Sequence, residues 1–81
     1  MIFYTYIIQS IISGKYYIGS TADWKTRLHQ HNSGKTKSTK NKGPYKIVYL
    51  EKFNSRSEAI RREKQIKSYK GGNAFKKLIN K

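Results

Sequence analysis

Residues 14–20, GKYYIGS, follow a run of isoleucines and decide how the front of the chain folds. Tyr16, Tyr17 and Ile18 read as a short strand, and IFYTYIIQ at residues 2–9, β-branched and aromatic throughout, reads as another. SIISG between them supplies a short turn, so the two strands form an antiparallel hairpin. Alternation puts Ile2, Tyr4, Tyr6 and Ile8 on one face of the first strand and Phe3, Thr5 and Ile7 on the other. Tyr16 and Tyr17 must then face opposite ways. Gly19 is expected to end the strand, and the paired tyrosines serve either packing at a turn or a phenol held at a working surface.

Downstream, STAD at residues 20–23 fits a capping box, with a helix to about His31 or Asn32 and Gly34 as its terminator. Residues 33–43, SGKTKSTKNKG, hold four lysines and no apolar side chain, and are expected to form a mobile basic loop. After Pro44, YKIVYLEKF is a third strand. NSRSEAIRREKQIKSYK offers Asn54 and Ser55 as N-caps and runs as a basic helix to about Lys70. Gly71 and Gly72 break it, and a short helix within residues 71–81 can pack through Phe75, Leu78 and Ile79. The order β-β-α-β-α-α predicts an α+β domain over residues 1–81, a three-stranded antiparallel-type sheet flanked by helices.

Composition narrows the partner. Eighteen Lys and Arg against four acids give a formal charge of +14 on 81 residues, a density that repels itself and calls for a polyanion. The cations are spread over helices, loop and tail rather than set opposite one apolar stripe, which favours nucleic acid over an anionic membrane. With no cysteine there is neither a disulfide nor a thiolate metal site. No apolar run approaches the roughly 18 residues of a membrane span, and MIFYTYIIQS lacks the basic start of a secretory leader. Cytoplasmic residence without a membrane partner is therefore expected.

Several side chains stand out against this background. On the first helix Trp24, Leu28 and His31 share a face, and Arg27 stands beside His31 at i, i+4. A stem laid on Trp24 would account for Arg27, and a satisfied border position for His31. On the long helix Glu63 projects among Ala59, Ile60 and Ile66. An acid there is either a buried ion-pair partner of Arg27 or a lysine, or a ligand for a divalent metal. Tyr6 and Tyr17 lie on adjacent strands, where packing explains most of the seven tyrosines. A positive field would favour the phenolate form of either one. A base, a cation and a lone acid are the parts of phosphodiester hydrolysis. A Gly-rich phosphate loop, an HExxH motif and zinc-ligand spacing are all missing.

These residues also carry a family likeness. YTYIIQS, YYIGS, RLHQHNSGK, GPYKIVYLEKF and AIRREKQIKSYK together resemble the small single-domain GIY-YIG nucleases of bacteria over nearly the whole chain. Tyr6 stands at the tyrosine of the first element and Tyr17-Ile18-Gly19 form the second, while Tyr4-Thr5 replace the usual Gly-Ile. The resemblance implies a Mg²⁺- or Mn²⁺-dependent endonuclease acting on DNA, with structure-specific or repair substrates in view. It places Tyr6, Tyr17, Arg27, His31 and Glu63 around one ion on a single concave basic surface. Tyr17, with His31, would activate water, Arg27 would stabilise the transition state, Glu63 would bind the metal, and Tyr6 would orient water or phosphate. Lys35, Lys37, Lys40 and Lys42 are expected to hold phosphates without reading bases. A protein partner for targeting is one way a free domain of this kind reaches its substrate. The alternative is a basic nucleic-acid-binding module without catalysis.

Overall fold

The computed structural model describes residues 1–34 and 43–80; Lys35, Lys37, Lys40, Lys42 and Lys81 lie outside the described residues. The fold is α+β. Its elements are β1 (Phe3–Ser10), β2 (Tyr16–Thr21), α1 (Trp24–Asn32), β3 (Tyr45–Phe53), α2 (Arg56–Ser68) and α3 (Asn73–Ile79). The sheet is antiparallel, with strand order β2-β1-β3, so β1 is central and β2 is an edge.

Local chemistry sets the boundaries. The hairpin turn closes through Ser10, whose amide donates to Lys15 O and whose hydroxyl accepts from the Ser13 amide at 3.0 Å. Gly14 takes a positive φ of 77° there. The expected capping box is displaced by three residues: Ser20 and Thr21 still belong to β2, and Asp23 itself caps α1. Its carboxylate accepts from the Thr26 amide at 3.2 Å and from the Thr26 hydroxyl at 2.7 Å. Ser55 caps α2: its Oγ accepts from the Glu58 amide at 3.3 Å and donates to the Glu58 carboxylate at 2.9 Å.

Each face of the sheet has its own cover. On one, Tyr6, Ile8 and Tyr45 are buried together, with Tyr17, Leu28 and Ile47 packed around them beneath α1. On the other, Ile7, Ile66 and Phe75 are buried, joined by Ile18, Val48, Tyr49, Leu78 and Ile79 beneath α2 and α3. Thr5, fully buried on that second face, donates its hydroxyl to Ala59 O of α2 at 2.7 Å. Its hydrogen-bonding group is therefore satisfied where water cannot reach.

A β-bulge decides which side chains of β3 reach which face. Ile8 pairs with Ile47 but Ile7 pairs with Tyr49, so Val48 is the extra residue. Tyr45 and Ile47 consequently face α1, while Tyr49 and Glu51, also odd-numbered, face α2. Glu51 accepts there from Arg62 Nε at 3.0 Å and from the Tyr49 hydroxyl, tying β3 to α2.

Candidate active site

On the α1 face the two expected tyrosines come together with His31. Register places Tyr17 opposite Ile8 and Gly19 opposite Tyr6, so both phenols stand on the same side of adjacent strands. Tyr16 takes the other side, as alternation requires, and stacks edge-on against Phe75 at 5.1 Å. Tyr6 is only 4% exposed and His31 5%, and the Tyr6 hydroxyl lies 3.1 Å from His31 Nε2. Burial, and secondarily the Arg27 charge, holds the His31 imidazole below its ordinary pKa of 6.5. It is therefore neutral at pH 7.

The role expected of Gly19 needs correcting. β2 continues through Thr21, so Gly19 does not end the strand. It removes a side chain from beneath the Tyr6 ring instead: a Cβ there would stand 2.6 Å from Tyr6 Cζ. Only glycine lets the central tyrosine lie flat across the edge strand and reach the last turn of α1.

Tyr45 joins this cluster without having been expected. Its ring stands edge-on to Tyr17 at 5.5 Å and 6.2 Å from His31, and the Tyr17 and Tyr45 phenols share a hydrogen bond. Burial is the main cause that raises the Tyr45 pKa, with the Tyr17 contact adding to it. Asn32, the last residue of α1, clamps the Tyr45 backbone from both sides. Its Oδ1 accepts from the Tyr45 amide at 2.7 Å and its Nδ2 donates to the Tyr45 carbonyl at 3.3 Å. The sequence signal for Tyr45 was its place directly after Pro44, but its face depends on the bulge.

Arg27 is partly buried one turn before His31, and its guanidinium donates to Gln30 Oε1 at 3.1 Å. Among the described residues it makes no ion pair. Lys25, not Arg27, covers the Trp24 ring, at 5.7 Å. The arginine thus keeps a charge free to meet an anion one turn before His31.

Glu63 is placed differently. It belongs to α2, on the opposite face of the sheet, so the five residues do not share one face. Its Oε2 accepts from Lys67 Nζ at 2.6 Å, an i, i+4 pair in which Lys67 is 54% exposed. The expected pairing with a lysine therefore exists but is not a buried ion pair. Arg62 turns toward β3 to meet Glu51, and Glu63 stands about 100° further round the helix. Thr5 bonds to Ala59 and Ile7 packs with Ile66, so Glu63 lies along α2 between these two contacts with the sheet.

No group of three or more acidic or histidine ligands occurs among the described residues. Glu63 keeps an Oε1 with no hydrogen-bond partner among them. A single hard oxygen donor fits an ion such as Mg²⁺, which keeps several waters and takes further oxygens from phosphate. Asp23 and Glu58 serve helix caps, Glu51 meets Arg62 and Glu63 meets Lys67, so each of the four acids already has a partner.

Comparison with known proteins shows the family. The model of the GIY-YIG catalytic domain matches residues 2–76. The chain belongs to the GIY-YIG family. A GIY-YIG domain is a nuclease-superfamily domain, which makes nucleic acid the substrate class and hydrolysis the reaction class. UPF0213 protein SH2523 of Staphylococcus haemolyticus is 42% identical over 67 residues, 82% of this chain and 80% of that protein. UPF0213 protein SAG0778 of Streptococcus agalactiae is 43% identical over 65 residues, 79% of this chain and 73% of that one. The solution NMR structure of UPF0213 protein BH0048 from Bacillus halodurans is 35% identical, covers 91% of this chain and 90% of that chain, and superposes with a TM-score of 0.49. No described helix of this GIY-YIG domain is long and apolar enough to cross a membrane.

Proposed function

We propose that this GIY-YIG domain is a divalent-metal-dependent endonuclease that hydrolyses phosphodiester bonds in DNA, working from the cytoplasm as a basic domain of one unit. The observation that carries the reading is the Tyr6–His31 hydrogen bond beside the Tyr17–Tyr45 pair, with the Arg27 charge acting on His31. Neutral His31 is the member of that cluster able to take up a proton. Tyr17, the half-buried phenol of the cluster, meets the attacking water, and the water's proton is taken up by neutral His31. Tyr6, fixed by His31, orients the incoming phosphate. Arg27 faces the negative charge that builds on the phosphorane-like transition state, where a preorganised cation is most effective.

Glu63 would hold the cation, Mg²⁺ or Mn²⁺. When bound, such an ion supplies charge neutralisation at the leaving oxygen. For that, Glu63 must either release Lys67 or use Oε1. The lysines at 35, 37, 40 and 42 are proposed to grip the flanking phosphates.

One observation favours a second reading. The Glu63 carboxylate is bonded to Lys67 rather than to any phenol, as in a basic binding module without catalysis. Nicking of supercoiled plasmid with Mg²⁺ separates the two. The nuclease nicks, Glu63→Ala does not, and a module that binds DNA without nicking it in any divalent metal overturns the catalytic assignment.

A further inference from the structure

Between the start of β2 and the last turn of α2 lies a groove of about 430 Å³, the size of a small-molecule site. Its floor is Ile66 and Phe75, both buried, and its wall is Tyr16, 39% exposed. Lys15, Lys67 and Lys70 stand around it, and no acidic residue among the described ones lines it. The catalytic reading uses neither this groove nor Tyr16. Its chemistry is nonetheless specific. Three ammonium groups alone would suit any anion, but they do not explain an aromatic ring held half-open above an apolar floor. A ligand that matches both has a flat π-face and a negative charge.

We propose that this groove takes one unpaired nucleotide of the substrate strand, its base stacked on Tyr16 and its phosphate among Lys15, Lys67 and Lys70. The groove borders the catalytic residues through two of its members. Tyr17 follows Tyr16 on β2 and faces the other side of the sheet, and the Lys67 ammonium rests on Glu63 Oε2. A base seated in the groove therefore leaves the adjoining phosphodiester at the β2 edge, between Tyr17 and Glu63. Pulling a paired base out of a duplex costs unstacking and unpairing energy that a bulge, flap or single strand does not demand. The inference rests on the nuclease reading and deepens it, since it makes an unpaired nucleotide beside the scissile bond the preferred substrate.

The test is metal-free binding by the full chain at fixed salt, so that its outcome does not depend on cleavage. Three labelled duplexes of one sequence are compared: fully paired, with one unpaired nucleotide, and with an abasic residue at that position. The single unpaired base should tighten binding on the order of tenfold over the abasic probe, the usual effect of one base on one aromatic. Tyr16→Leu keeps an apolar cover on Phe75 without a π-face, and should reduce the preference to nearly nothing, while Tyr16→Trp should restore it. Lys70→Ala, which leaves the floor intact, should weaken the unpaired-base and abasic probes alike. Equal affinity for unpaired-base and abasic probes, or a preference that survives Tyr16→Leu in a folded variant, overturns the proposal. So does a free nucleoside monophosphate that competes as tightly as the strand, which would make the groove a free-nucleotide site. Loss of nicking with the base preference intact would count against the catalytic reading alone.

Discussion

The hydroxyl of Tyr6 and Nε2 of His31 are 3.1 Å apart, 25 residues apart in sequence, and both are shielded from water. That contact joins the central strand to the last turn of α1. It exists because Gly19, on the neighbouring strand, has no side chain beneath the tyrosine ring. Stability and activity should therefore respond together to changes at these three positions.

Gly19→Ala tests the close approach. A methyl group at this point overlaps the Tyr6 ring, and overpacking of this kind costs about 1–3 kcal/mol. The gain from a stiffer unfolded chain, about 0.4–1 kcal/mol, is smaller. A lower melting temperature and a lower nicking rate are expected. An unchanged melting temperature would show that Tyr6 moves aside freely and that its position is not fixed.

His31 gives the fold a pH dependence. Its folded pKa lies below the unfolded value of 6.5, so the unfolded chain binds the proton more readily. The stability that comes from the neutral imidazole is full above pH 6.5 and is lost as pH falls from there through the folded pKa. Urea midpoints should drop between pH 7.5 and pH 5, and His31→Gln should flatten that part of the profile. Parallel profiles for the two proteins would refute the assignment.

Arg27 and Glu63 separate catalysis from folding. Arg27→Ala should lower the nicking rate on the order of 10²-fold or more. DNA affinity should fall far less, because many other cations share the phosphates. Glu63→Ala should abolish nicking yet cost no more than about 0.5 kcal/mol of stability, since its partner Lys67 is 54% exposed and sits at i+4. Loss of several kcal/mol in Glu63→Ala, with the metal dependence of the remaining activity unchanged, would make the residue structural.

The basic stretch between α1 and β3 should act through phosphate alone. Replacing Lys40 with Ala should weaken binding about equally for all sequences and reduce the salt slope by about one unit. A loss confined to one sequence would reveal base readout.

What the sequence determined by itself was local. Strand alternation put Tyr16 and Tyr17 on opposite faces, because neighbouring side chains in a strand must disagree, while the register of β1 with β2 brought Tyr6 to the face of Tyr17. The glycines and small polar residues marked the element ends to within a few positions, and the stripe of α1 put His31 against the sheet. The face of Glu63 was misjudged because helical spacing tells which residues share a side of α2, not which side of the sheet α2 covers. Nor does period-2 reading survive the bulge at Val48, which sends Tyr45 to the site and Tyr49 to the opposite core. The strand order β2-β1-β3 belongs to the same class. It buries Tyr6 at the centre and leaves β2 as an edge. These are long-range pairings, in which the whole sheet and both helix layers must close together to bury Ile7, Ile8 and Ile66. No short stretch of chain carries that information, because the free energy that selects it comes from burial shared among residues far apart in sequence.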